Sequence, residues 1–139
     1  MMNINRYLGL IIVCFLISNC SSDETTGLIP EKALLISPAE NSPCLTGDSV
    51  SDTEIEVIFR WSPARNTDYY NLRITNLISN EIINKTNIEN TGATVVLEKG
   101  KPYSWSVSSK SDLVNDVGTS DVNNFYVGGF ESVTNAPVP

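Results

Sequence analysis

Short segments in which apolar and polar residues alternate fill the middle of the chain. Residues 55–61, 70–74 and 103–108 each place an apolar side chain at every second position. A period of two puts alternate side chains on opposite faces of a β-strand, so each segment predicts a strand with one buried face. Since no helical period of useful length interrupts them, the pattern predicts an all-β domain.

Shorter β-branched stretches between turn residues predict four more strands. These are residues 33–36, 81–84, 94–97 and 122–127, while the polar stretch 41–52 is expected to be a loop. Seven short strands separated by turns are typical of a seven-stranded antiparallel β-sandwich. The predicted fold class is therefore an all-β sandwich.

The alternation also predicts which side chains face the core of this sandwich. Burial of one large apolar side chain contributes about 1.5–3 kcal/mol, so a dozen of them can hold a domain of this size without a disulfide. The predicted core residues are Ile55, Val57, Phe59, Trp61, Tyr70, Leu72, Ile74, Val96, Tyr103, Trp105, Val107 and Phe125.

The first twenty residues have the pattern of an export signal. Arg6 is their only charged residue, and residues 7–17 form an apolar run that is too short to span a bilayer core of about 30 Å. The segment ends in ISNC at Cys20, which resembles the lipobox of bacterial lipoproteins, although Asn19 stands where Gly, Ala or Ser is usual. The resemblance implies that residues 1–19 are a signal peptide and that Cys20 is lipidated. An ordinary secretory signal and an uncleaved anchor are the alternatives.

A mature chain beginning at Cys20 would start with CSSDE, which is similar to the start of Bacteroidota lipoproteins exported to the cell surface. The resemblance implies a lipid anchor in the bacterial outer membrane, on its periplasmic or cell-surface face. The same polar residues also suit a plain soluble linker. We therefore expect a flexible tether over residues 20–30, a domain over residues 31–128 and a C-terminal tail over residues 129–139.

Three motifs stand out within the predicted domain. They are FRWSP at residues 59–63, DYYNLRI at residues 68–74, and Leu97 six residues before Tyr103. Together they resemble a fibronectin type III domain. The resemblance implies a fibronectin type III or immunoglobulin-like fold in which Trp61 is the family's core tryptophan. It also implies that Leu97 and Tyr103 form a tyrosine corner, in which the phenol caps a backbone group while its ring packs inward.

The composition of the chain narrows the range of functions it can have. The chain has 9 basic and 16 acidic side chains, no His and a net charge of −7, which becomes −8 once residues 1–19 are removed. A nucleic-acid binder needs a basic surface, so that class is excluded. Without His, a phosphate loop or a paired-cysteine motif, we expect no enzyme, no cofactor and no metal site. Glu54 and Glu56 share one strand face and are expected to be solvated rather than catalytic.

The long segment between the last two predicted strands, residues 108–121, is the candidate binding loop. Loops at the ends of a sandwich are its usual contact surface, and the loop at residues 63–68 should lie at the same end. Calcium is disfavoured there, because the acids lack the alternating spacing of a calcium-binding loop. The apolar members could instead fold back onto the sandwich. The candidate residues are Asp112, Leu113, Val114, Asp116, Val117 and Asp121.

The sequence therefore predicts a cell-envelope, surface-exposed lipoprotein whose single domain is a binding or spacer module. The alternative is an accessory structural subunit of an outer-membrane assembly with no ligand of its own. Envelope or host proteins are the expected partners. Neutral glycans are less expected as ligands than proteins, because few aromatic rings could stack on a sugar. Only Tyr69 and Tyr126 occupy strand positions that point away from the core and could offer an exposed ring. The triplet Asp48-Ser49-Val50 is similar to the O-glycosylation acceptor of Bacteroidota.

Overall fold

The computed structural model describes residues 29–44 and 48–129, and every regular element in that part of the chain is a β-strand. Its strands are β1 (Leu35–Ser37), β2 (Ser42–Cys44), β3 (Glu54–Trp61), β4 (Tyr69–Asn76), β5 (Ile82–Ile88), β6 (Gly92–Glu98), β7 (Lys101–Lys110), β8 (Val117–Thr119) and β9 (Asn123–Val127). The all-β class predicted from the alternation is confirmed.

Two sheets pack around one core. The first contains β1, β3 and β6 in that order, and the second has the order β2-β9-β7-β4-β5, with β8 paired to the end of β7. Neighbouring strands are antiparallel, except that β2 lies parallel to β9. Because the buried cluster takes side chains from both sheets, the architecture is a β-sandwich.

Aromatic rings fill the centre of this core. The ring of Phe59 lies edge-on to Trp105 and Phe125, with centroid distances of 5.1 and 5.7 Å, and the Trp61 ring is 5.6 Å from that of Tyr70. Edge-to-face pairs at this spacing add stability beyond the apolar area they bury. The buried hydrophobic residues are Ala33, Val57, Phe59, Trp61, Tyr70, Leu72, Ile74, Val95, Leu97, Tyr103, Trp105, Val107, Phe125 and Val127.

The prediction that Val96 belongs to the core is wrong. Its side chain is 41% exposed, whereas its neighbours Val95 and Leu97 point inward. Alternation alone could not choose the phase, because residues 95–97 are all apolar. Pairing with β3 decides it, since Val95 lies opposite the buried Val57.

Two predicted loops and one predicted strand also need correction. β2 lies inside the stretch 41–52 and β8 inside residues 108–121, both of which the sequence predicts as loops. Each has three residues, which is too few for an alternating pattern to show. The strand predicted to end at residue 84 continues to Ile88, and it forms the edge of its sheet. Most of its side chains are exposed, so its polar residues do not alternate with apolar ones.

The strands run between two ends of the sandwich, which we call the entry end and the exit end. The described chain enters at Ile29, whose carbonyl accepts a hydrogen bond from Asn66 Nδ2 at 3.2 Å. It leaves at Gly129, which lies against Gly100 in the turn between β6 and β7. β7 connects the two ends, and its ten residues span about 33 Å at roughly 3.3 Å per residue.

Candidate functional site

The candidate binding loop forms a projection at the entry end. β8 pairs with the last three residues of β7, so residues 112–116, which we call the tip, stand out between the two strands. The Leu113 side chain is 76% exposed, and Val117 is also exposed, while Val114 is half-buried. Most of the apolar surface of this loop therefore faces solvent instead of folding back onto the sandwich.

The three acids of the candidate site, Asp112, Asp116 and Asp121, are all exposed. Asp112 and Asp116 flank the apolar Leu113 within the tip, and Asp121 follows β8 at its base. No group of three or more His, Cys, Asp or Glu side chains among residues 29–44 and 48–129 could hold a metal ion. The tip therefore carries one strongly exposed apolar side chain, with an exposed acid before it and another after it in the sequence.

Asp68 holds the start of the tip in place. Its Oδ2 accepts hydrogen bonds from the Ser111 hydroxyl and from the backbone N–H of Asp112, both at 2.8 Å. The bond from the Asp112 backbone, followed by that from Ser111, lowers the pKa of the Asp68 carboxyl below its ordinary value of 3.8. The Leu113 N–H in turn donates to the Ser111 hydroxyl at 3.2 Å. The loop at residues 63–68 thus lies at the same end as the candidate binding loop and supports it.

The first described residues, 29–32, fasten the base of the tip to the neighbouring loop. On one side, the Glu31 N–H donates to the Arg65 carbonyl at 3.0 Å. On the other, the backbone of Glu31 lies so close to Gly118 in β8 that a Cβ there would overlap it. The Lys32 ammonium contacts Asp121 at 3.2 Å, with both side chains more than half exposed. This segment, which we call the lead-in, therefore bridges both loops of the entry end.

The base of the tip is also held from within the sandwich. The buried Ser120 hydroxyl accepts a hydrogen bond from the Val107 N–H at 2.9 Å and donates to the Asp121 carbonyl at 2.7 Å. Buried groups satisfied in this way fix local geometry, because their loss would leave unpaired polar atoms inside. Leu113 is consequently presented by a supported loop.

The predicted structural residues lie inside the sandwich. Leu97 and Tyr103 are buried, and the Tyr103 hydroxyl accepts a hydrogen bond from the Glu98 N–H at 3.2 Å. Burial is the main cause that raises the pKa of the Tyr103 phenol above 10.0. Trp61 and Trp105 are buried as well, and Trp105 Nε1 donates to the Pro38 carbonyl at 3.0 Å. Neither tryptophan offers a surface for ligand stacking.

Other residues singled out in the sequence are dispersed over the surface. Glu54 and Glu56 lie half-buried on β3, and Glu54 pairs across the sheet with Glu98. Ser49, in the middle of the predicted glycosylation triplet, is exposed, and its hydroxyl accepts a hydrogen bond from Lys99 Nζ at 2.7 Å. These groups do not converge on a shared cleft with the tip.

A shallow groove at the exit end was not indicated by the sequence. It has a volume of about 410 Å³ and an uncharged lining that includes Pro43, Leu77, Pro102 and Tyr126. Tyr126 is exposed there, while Tyr69, which pairs with Lys110 at the entry end, is half-buried. The only sequence signal for the groove is the position of Tyr126 out of phase with the core.

Several predictions fall on parts of the chain outside the described residues. The signal peptide 1–19, the lipidation site Cys20, the tether up to residue 28 and the tail from residue 130 all belong to this group. Among residues 29–44 and 48–129, no helix is long and apolar enough to cross a membrane.

No family model and no curated protein matches this sequence. Several solved structures resemble the chain in their overall arrangement. An Fn3-like protein from Clostridium thermocellum has a TM-score of 0.46 and 19% identity, over 73% of this chain and 94% of that one. A structure described as a myokine has a TM-score of 0.46 and 11% identity, over 72% and 96%. A third, FN3tt mut, has a TM-score of 0.42 and 12% identity, over 70% and 92%.

The strand order itself defines the fold. Strands β1, β3 and β6 form one sheet, while β5, β4, β7 and β9 are consecutive neighbours in the other. Consecutive strands therefore cross between the sheets, from β3 to β4 and from β5 to β6 and back to β7. Together with the tyrosine contact beside the β6–β7 turn, this is the arrangement of a fibronectin type III-like β-sandwich.

Proposed function

We propose that this protein is a bacterial cell-envelope lipoprotein, anchored through Cys20 and exposed at the cell surface, whose sandwich presents the tip as a protein-binding module. The anchor is supported by the lipobox-like ISNC ending of the apolar N-terminal segment and by the polar CSSDE sequence that begins at Cys20. The role as a binding module is supported by the β-sandwich fold and by the exposed tip.

The observation that best supports binding is the position of Leu113. This side chain is 76% exposed on a loop that Asp68 and the lead-in hold in place. A single exposed leucine is common on protein surfaces, but a supported loop at the end of a sandwich is also where binding residues concentrate. Leu113 can therefore be buried by a partner without first ordering the loop, which lowers the entropic cost of association.

An accessory subunit of an outer-membrane assembly is the second candidate function. It is favoured by one observation, namely that the tip and the lead-in, where the tether joins the domain, share the entry end of the sandwich. A subunit of this kind would make its contacts next to the membrane. A module for soluble ligands would gain more from contacts at the exit end.

Catalysis is no part of the proposal. The chain has no His, and Glu54 and Glu56 lie half-buried on β3, away from the tip. The exit-end groove is lined by uncharged side chains.

Two variants test the proposal. Cys20→Ala should leave the precursor unprocessed, without lipid and absent from the outer-membrane fraction; unchanged outer-membrane attachment would refute the anchor. Leu113→Ser should reduce partner capture in cells, measured by cross-linking and co-purification, while its matched control, Leu77→Ser at the exit end, should not. Equal capture by both variants would mean that the contact surface lies elsewhere.

A further inference from the structure

The end at which the chain enters the sandwich restricts how a lipid-anchored form can stand on a membrane. The lead-in is fixed to both entry-end loops through the Glu31–Arg65 hydrogen bond and the close approach of Glu31 to Gly118. A tether that begins at Cys20 therefore pulls on the same end of the sandwich that carries the tip. This step rests on the proposed function, because it requires the anchor at Cys20.

The tether is short compared with the domain. Nine residue steps separate Cys20 from Ile29, which at about 3.3–3.6 Å per residue gives a maximum reach of roughly 30 Å. A flexible chain of that length has a typical end-to-end distance of about 17 Å. The ten-residue strand β7 alone is about 33 Å long. The tip is therefore held closer to the membrane, on average, than the exit end.

The chemistry of the tip disfavours the lipid surface itself. Leu113 lies between the exposed residues Asp112 and Asp116 along the tip, and the Asp68 carboxylate accepts the hydrogen bond from the Asp112 backbone N–H. Lys32, the cation of the lead-in, is paired with Asp121. Insertion of Leu113 into a bilayer would bring several carboxylates against negatively charged headgroups, which repel them.

We propose that the tip docks into an apolar pocket with a Lys or Arg border on a protein embedded in the same membrane. Leu113 fills the pocket, and the carboxylates of Asp112 and Asp116 face the basic border. An apolar anchor within a border of complementary charge is the usual composition of a specific protein contact. Because the tether keeps both proteins in one layer, the effective concentration of the tip at its partner is raised.

Photo-cross-linking in cells tests this proposal on the full-length chain. The photoreactive residue p-benzoylphenylalanine replaces Asn115, an exposed residue of the tip, in one variant that keeps Leu113. In the matched control it replaces Ile78, which is exposed at the exit end. We expect an adduct from position 115 with an integral membrane protein, identified by mass spectrometry, and no such adduct from position 78. In the position-115 variant, adding Asp112→Lys and Asp116→Lys should reduce the adduct about tenfold, a change of about 1.4 kcal/mol.

Every other outcome overturns the inference. Adducts with lipid, with a second copy of this chain or with a soluble protein would identify a different occupant. An adduct that forms only from position 78, or that persists after both charge reversals, would contradict the orientation or the charge match, and no adduct from either position would contradict the docking. The mass of the purified protein separates this result from the proposed function: an unacylated chain refutes the anchor, whereas an acylated chain without the expected adduct refutes only the docking.

Discussion

The backbone of Gly118 in β8 lies against the backbone carbonyl of Glu31 in the lead-in, with no room between them for a side chain. This contact joins the first described residues of the chain to the strand that supports the tip. The requirement for glycine arises from space, because an added Cβ would overlap the carbonyl oxygens of both Pro30 and Glu31. These are backbone atoms rather than the end of a flexible side chain, so they have little freedom to move away.

Gly118→Ala should therefore destabilise the protein. Forcing an extra carbon into a packed site costs about 1–3 kcal/mol, and we expect a loss of that size in urea unfolding. Gly129→Ala is the matched control, since its added Cβ would lie 3.7 Å from the nearest atom, an ordinary contact distance. Equal midpoints for the two variants would show that the lead-in is not fixed against β8.

Tyr103→Phe tests the hydrogen bond between the Tyr103 hydroxyl and the Glu98 N–H. Removing the hydroxyl leaves that backbone donor without its partner, and we expect a loss of about 1–3 kcal/mol in the free energy of unfolding. Tyr126→Phe changes an exposed phenol on the adjacent strand and should have little effect. If Tyr103→Phe unfolded at the same urea concentration as the wild type, the hydrogen bond would make no contribution to stability.

Alkaline unfolding gives a second measurement of the same group. Because burial raises the pKa of Tyr103 in the folded state above 10.0, the neutral phenol favours folding. Its contribution is complete below about pH 10 and is lost as the pH rises through the folded-state pKa. The fall in stability above pH 10 should be shallower in Tyr103→Phe than in wild type, and parallel curves would contradict this assignment.

Leu97→Ala and Val96→Ala compare adjacent residues on opposite faces of β6. Leu97 is buried, so its truncation should leave a cavity and cost about 2–5 kcal/mol. Val96 is 41% exposed, and its truncation should change stability by only about 0.5 kcal/mol. The larger loss of stability in urea melts identifies which of the two side chains faces the core. A larger loss for Val96→Ala would mean that Val96, and not Leu97, points inward.

Asp68 should make the order of the tip dependent on pH. Its carboxylate accepts the hydrogen bonds from Ser111 and Asp112, which lower its pKa in the folded state. The support is therefore present above about pH 3.8 and is lost as the pH falls through the folded-state pKa. Amide exchange protection at Asp112 should decrease with this titration in wild type and should be low at every pH in Asp68→Asn. Asp116→Asn, an exposed acid of the same loop, should behave like wild type.

The fold could be predicted because its core strands bury one face and expose the other. For β3 and β4 the alternation identified Phe59, Trp61 and Leu72 as inward-facing, and all three are buried. It failed at Val96, where consecutive apolar residues allow either phase and only pairing with β3 selects one.

The details of the candidate site depend on contacts between residues far apart in the sequence. Asp68 supports Asp112 across 44 positions, and Lys32 reaches Asp121 across 89. No local pattern reports such pairs. Gly118 is the one residue of the loop whose type hinted at a close approach, since glycine is favoured where another backbone comes near.

The parallel pairing of β2 with β9 would bear part of a force applied between the two ends of the sandwich. The described chain enters at one end and leaves at the other, so tension between an anchored N-terminus and a load at the C-terminus pulls these two strands in opposite directions along their length. The hydrogen bonds between the two strands lie across that direction. They therefore resist the sliding of the strands all at the same time, instead of opening one after another. If the protein were loaded in this way, the lifetime of its folded state would be set by the rate of forced unfolding rather than by its equilibrium stability.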